Sequence, residues 1–446
     1  MKIRGRTMKK LWIICFTLLL ALALTACGES ASQSSSESGQ DSQTSGGSGI
    51  TEISILLTKP EIAKPFEETA KRFGEEHNVK VTVIPLAGQT IFEKMSSLYA
   101  SGNPPTIMMV AQEFDTFQHH FLDLSDQPWV EHVLPGMTDF VTIDGKIYGM
   151  PVTVEAFGFI YNNAVVEEAV GGPFDPSTIK THQDLENLFK QIAALEGVEA
   201  LHVSPMDWSL GAHLTNIFFA AQSENRDERH QFMQDLKEGK VSLTDNKVFN
   251  GWLKTFDLMK EYNAEKHSPL APDYDDGPLA LANGHVGLWF MGNWAYPQLQ
   301  ELDPDGEYGF IPVPLSDNPE DYGNSHISVG VPSYWVVDAS RSTPEQQEAA
   351  LQFLNWLVLD ETGQDYAVNK LNLIPVFDNF QIKPEDSLSL SIMEYMESGN
   401  TLEWMNSYYP ADAWPTMGAS LQKYLADHID RDTLIEELEM YWHSVK

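Results

Sequence analysis

Cysteine is almost missing from this chain. Its two cysteines, Cys15 and Cys27, both lie in the N-terminal segment. The rest can therefore hold no disulfide, no thiol nucleophile and no thiolate-ligated metal or iron–sulfur cluster. Arginine is nearly as scarce, with only Arg72, Arg226, Arg229, Arg341 and Arg431 beyond that segment. Sulfates, phosphates and uronates are usually held by bidentate guanidinium groups, so a neutral or cationic ligand is favoured. The formal net charge of −36 argues against nucleic acid and anionic surfaces as partners. No long apolar run follows Leu24, so the body reads as soluble. Gly-x-Ser-x-Gly, His-Glu-x-x-His and a glycine-rich phosphate loop are all absent, and no enzyme is expected. Glu113 and Glu155 could still form the acid pair of a glycosidase, which turnover of an oligosaccharide would reveal.

What is present begins with an address. Lys2, Arg4, Arg6, Lys9 and Lys10 precede an apolar stretch from Leu11 to Leu24, a secretory pattern too short for a comfortable membrane span. Residues 1–26 are expected to be a signal peptide. Leu24-Thr25-Ala26-Cys27 resembles a bacterial lipobox, which makes Cys27 the acylated first residue of the mature chain. Residues 27–49, mostly Ser, Gln and Gly, cannot bury enough surface to fold and read as a flexible tether.

The remainder, about nine-tenths of the chain, is too long for one compact core and suits two globular domains. Ile53–Leu57 reads as a buried strand, Glu61–Glu76 as an amphipathic helix, Val79–Ile84 as an alternating strand and Ile91–Tyr99 as a second helix. Thr106–Val110 is a third strand. This alternation predicts an α/β fold with ligand contacts at the carboxyl ends of strands. Val152–Asn163 is a long extended run. Thr343-Pro344-Glu345-Gln346 signals a helix start, with a capping threonine and a glutamine three residues on. No metal is expected: Asp273-Tyr274-Asp275-Asp276-Gly277 hints at a calcium loop, but Asn283 and Gly284 stand where its bidentate glutamate should be.

Four stretches together resemble the carbohydrate-type solute-binding lipoproteins of ABC importers, similar to maltose-binding protein. They are Phe66–Pro105; Asp144-Gly-Lys-Ile-Tyr-Gly-Met-Pro151 running on to Asn162; Asn283–Trp294; and Val329-Gly330-Val331 followed by the Thr343 helix and Asn369–Val376. The resemblance implies a two-lobed periplasmic-binding-protein-like fold with hinge strands and a central ligand cleft. Lobe one would comprise residues 50–153 and 312–342, and lobe two residues 154–311 and 343–446. It further implies a sugar or oligosaccharide ligand, an ABC importer permease as partner, and no cofactor. A monomer on the extracellular face of a cell membrane is expected, held by its lipid anchor only and suited to a Gram-positive source.

Sugars present CH faces to aromatic rings and hydroxyls to fixed donors and acceptors, and the chain carries 11 Trp and 15 Tyr. Trp294, after Gly292-Asn293, takes the family's stacking position; the alternative is a core tryptophan. Glu155 interrupts an apolar run where the chain should cross between lobes, as a hydroxyl acceptor or as a hinge salt bridge. Glu113, with Asp115 as its alternate, follows the third strand, and Lys59 follows the first unless it is a solvated loop residue. Asp207 and Trp208 form an acceptor-and-platform pair. One of Trp404 and Trp414 should supply another ring, whereas Trp335 and Trp356 belong in the core. Acids among aromatics would equally suit a cationic ligand such as a polyamine, through salt bridges and cation–π contacts.

Overall fold

A computed structural model describes residues 50–410 and 412–445. The signal peptide, Cys27 and the tether fall outside the described residues. Strand β1 (Thr51–Leu57) pairs in parallel with β2 (Val79–Pro85) and β3 (Ile107–Val110). All of β3 is buried, as expected of a parallel strand covered on both faces, while β2 at the sheet edge alternates. The hairpin of β4 (Thr142–Ile143) and β5 (Lys146–Ile147) turns at Asp144-Gly145, both in the left-handed region. Then β6 (Met150–Pro151) joins the far side of the first sheet.

The second sheet is built on β7 (Glu155–Asn162), buried along its whole length. It runs antiparallel to β9 (Val286–Gly292), which pairs in parallel with β8 (Glu199–Val203). On its other side β7 takes β10 (Tyr308–Ile311) along one half and β11 (Ile327–Gly330) along the other. β12 (Tyr334–Val337) returns to the first sheet between β3 and β6, and β13 (Thr401–Leu402) closes the edge of the second.

The chain thus passes between sheets at residues 152–154, at 331–333 and again around Ile374. These crossings are bonded to one another. Val152 N–H donates to Ser333 O at 3.1 Å and Val154 N–H to Ile374 O at 3.0 Å. The two-lobed α/β class expected from the sequence is what forms, but its seams lie elsewhere. β11, expected in lobe one, pairs Ser328, Val329 and Gly330 with Phe157, Ala156 and Glu155 of β7. The helix Pro344–Leu359, expected in lobe two, packs on the first sheet: Phe353 meets Phe66 and Phe73 edge-on at 6.2 and 5.1 Å. Thr343 caps that helix by the reciprocal bonds its sequence predicts. Trp335, stacked on Phe66 at 5.4 Å, and Trp356 are core residues.

Candidate functional site

A cavity of about 740 Å³ lies between the sheets, within the ~300–1,000 Å³ usual for small-molecule sites. The first sheet contributes the loop after β1 (Thr58, Lys59, Pro60, Glu61), the end of β3 (Ala111, Gln112), and Phe140 and Tyr334. The second contributes Glu155, Trp208, His213, Tyr274, Trp294, Trp404, Asn406 and Trp414. Six sequence candidates therefore converge: Trp294, Glu155, Trp208, Trp404, Trp414 and Lys59.

Glycines make room for the indoles. A Cβ on Gly292 would stand 2.0 Å from the Trp294 ring, and one on Gly330 2.6 Å from Trp404. Asn293 Oδ1 accepts the Ala156 N–H at 2.9 Å, tying the Trp294 loop to β7. That is the physical content of Gly292-Asn293-Trp294: space, anchor, platform. Trp294 meets Trp208 at 6.2 Å and His213 at 4.9 Å between ring centroids. Both Trp404 and Trp414 line the cavity, where one was expected.

The charged end is self-satisfied. Lys59 Nζ donates to Glu155 Oε1 and, at 2.9 Å, pairs with Glu61. Burial pulls the ammonium down, but the two carboxylates outweigh it and hold its pKa above the usual lysine value. Burial pushes the Glu155 carboxyl up, against the pull of Lys59. Lys59 is no solvated loop residue, and Glu155 combines a place in the cavity wall with the hinge salt bridge.

Glu113 and Asp207 turn elsewhere and do not line the cavity in this conformation. Glu113 Oε2 accepts the Ala111 N–H at 3.2 Å, folding back on its own loop. Asp207 Oδ1 accepts the N–H of Trp208 at 2.7 Å. Burial raises the pKa of Glu113 and of Asp115, which also lies off the cavity.

Sequence reasoning missed Tyr274, His213, Gln112 and Asn406. The acidic loop holding Tyr274 bonds inward: Asp276 accepts the Asp273 N–H at 2.8 Å and Asp273 accepts the Asp275 N–H at 3.0 Å. That closure leaves the tyrosine lining the cavity. Gln112 Nε2 donates to Asn406 O at 3.2 Å, a bond between the two sheets' loops that no local pattern announces. Behind the indoles, Glu403 receives Arg226 at 2.9 Å, Arg229 at 2.7 Å and His230 at 3.0 Å.

Comparison with known proteins agrees with the expected resemblance. The profile of the bacterial extracellular solute-binding proteins matches residues 68–387. The multiple sugar-binding protein of Streptococcus mutans is 21% identical over 367 residues, 80% of either chain. The maltodextrin-binding protein of Bacillus subtilis is 22% identical, covering 92% of this chain and 88% of its own. Among solved structures, a solute-binding protein in complex with raffinose superposes with a TM-score of 0.73 at 20% identity, over 88% of this chain and 99% of that one. A sugar transporter protein of Bacillus licheniformis in complex with stachyose gives 0.68 at 15% identity, over 89% and 100%.

Proposed function

The chain belongs to the bacterial extracellular solute-binding proteins, and from that premise we propose that it captures a neutral sugar or oligosaccharide outside the cell and delivers it to an ABC importer. The observation that carries this reading is the cavity wall. Four indoles, Trp208, Trp294, Trp404 and Trp414, supply flat apolar faces for the CH faces of pyranose rings. The cavity's lysine is already matched by two carboxylates, so Glu155 is engaged before any ligand arrives. That pairing favours a neutral ligand over a polyamine, whose ammonium groups would have to compete with Lys59 for the same acids. The sugar-binding names and bound sugars of the relatives support the same side.

The lobes in this reading are residues 50–151 with 334–370, and 155–330 with 387–445. Ligand touching both lobes favours a closed arrangement, because only differential contact shifts an equilibrium between conformations. No reaction belongs to this reading: Glu155 is bonded to Lys59, and Glu113 Oε2 accepts the N–H of Ala111 in its own loop. It acts as a monomer tethered by acylated Cys27 on the outer face of the cell membrane, close to its permease. Thermal unfolding against mono- and oligosaccharides and polyamines tests the reading. A glycan that raises the melting temperature supports it by mass action. A shift with polyamines alone overturns the ligand.

A further inference from the structure

His213 lies in the π-helical turn Ser209–Leu214. A π turn holds more residues per turn than an α-helix, re-aims side chains and recurs at functional sites. Here it stacks the imidazole on Phe157, with ring centroids 4.5 Å apart and planes 19° apart. Trp294, Trp208 and Trp404 surround it at 4.9, 5.4 and 6.1 Å. The backbone behind it is fixed: a Cβ on Gly211 would meet Trp414 O at 2.2 Å and Gly418 N at 2.5 Å. The turn and the helix Ala413–Leu425 are in direct backbone contact.

His213 is 9% exposed as a residue and lines the cavity. It has no hydrogen-bond partner among the described residues, and burial alone drives its pKa down to about 3. A neutral imidazole keeps one donor and one acceptor nitrogen. Unpaired ring nitrogens occur elsewhere in the fold, at His202 Nε2 and His326 Nδ1, but neither of those residues lines this cavity, whereas His213 does. A buried polar ring left unpaired inside an aromatic wall calls for a partner from the ligand.

We infer that His213 is a specificity-determining residue whose imidazole hydrogen-bonds one hydroxyl of a pyranose ring lying against the indoles. The inference rests on the carbohydrate reading of the cavity and goes beyond it. Indoles grip the apolar face that hexoses share, whereas a fixed imidazole reads where one hydroxyl sits. Sites built to bond a hydroxyl reject analogues that misplace it far more strongly than apolar contacts do.

The test is calorimetric titration of the protein and of His213→Phe with oligosaccharides whose terminal ring is glucose, galactose, mannose or xylose. The unsubstituted protein should prefer one terminal ring at least about tenfold, and His213→Phe should lose that preference together with at least about tenfold in affinity. Unchanged melting of the ligand-free variant excludes a folding defect. Should the phenylalanine variant fail to fold, His213→Gln, which keeps a donor and an acceptor in altered geometry, decides by a shifted preference. Unaltered affinity and preference in the folded variant overturn the inference and leave the carbohydrate reading standing. Absence of binding to every glycan by the unsubstituted protein overturns both.

Discussion

The Lys59 ammonium, two residues past the end of β1 in one sheet, is bonded to the Glu155 carboxylate that opens β7 in the other. With side chains 14% and 7% exposed, the pair is deep enough that losing one partner costs far more than losing both.

Lys59→Met should therefore destabilise the protein by about 3–5 kcal/mol, and Lys59→Met with Glu155→Gln should recover most of the loss. Equilibrium urea unfolding measures both. The single variant should also steepen the pH dependence, because the pull of Lys59 that opposes burial is gone. Burial holds Glu155 above its unfolded pKa, so the folded state binds the extra proton. Stability is then present below the unfolded value and falls as pH rises beyond it. A flat profile from about pH 4.5 to 8 would show that Glu155 finds another partner.

Gly292→Ala keeps every aromatic ring but places a methyl group inside the indole of Trp294. Overpacking of this kind costs about 1–3 kcal/mol. Ligand affinity should fall with it, measured by titration beside Trp294→Ala, which should lose about 1–3 kcal/mol of binding. Equal affinity in all three proteins would remove Trp294 from the wall that grips ligand.

Glu403 supplies an acid-range prediction. Burial pushes its carboxyl up, but hydrogen bonds from His230 and Arg229 and the charge of Arg226 prevail, holding it at about 2. A folded-state pKa below the unfolded one adds stability at higher pH that is lost as pH falls through the window between them. The contribution is on the order of 2–3 kcal/mol. Acid unfolding of Glu403→Gln should be correspondingly shallower between about pH 4.5 and 2. Because Trp404 follows directly, ligand affinity should weaken as well.

Gly211→Ala drives a methyl group into the carbonyl of Trp414. Backbone offers no rotamer to move aside, so the melting temperature should drop by several degrees, as about 1–3 kcal/mol implies. A neutral outcome would mean that the π turn can slide on its neighbouring helix.

Much of this is legible in the sequence. The order of strands and helices up to Val110 shows in periodicity, and Trp294 stands out by its place after Gly292-Asn293, where the family resemblance implies a stacking ring. The lobe seams are not legible. Val329-Gly330-Val331 looks the same whether it pairs with β7 or with β3, since strand partners are settled by contacts distant in sequence. Glu113 and Asp207 illustrate a further limit. Position along a strand end could be inferred, but a short acid can bond its own loop's N–H instead of facing a ligand. His213 was invisible because a π turn shifts which residues share a face, and nothing in a spacing of 3.6 announces it.

The three crossings between the sheets, laced to each other at Val152–Ser333 and Val154–Ile374, behave like a door hung on a ribbon. A single flexible strand would permit twist and slide in any direction, but three bonded strands leave bending across their width as the soft motion. In the proposed capture of a sugar, opening would thus reduce to one angle, and the length and girth of a ligand touched by both walls would set how far the door swings shut.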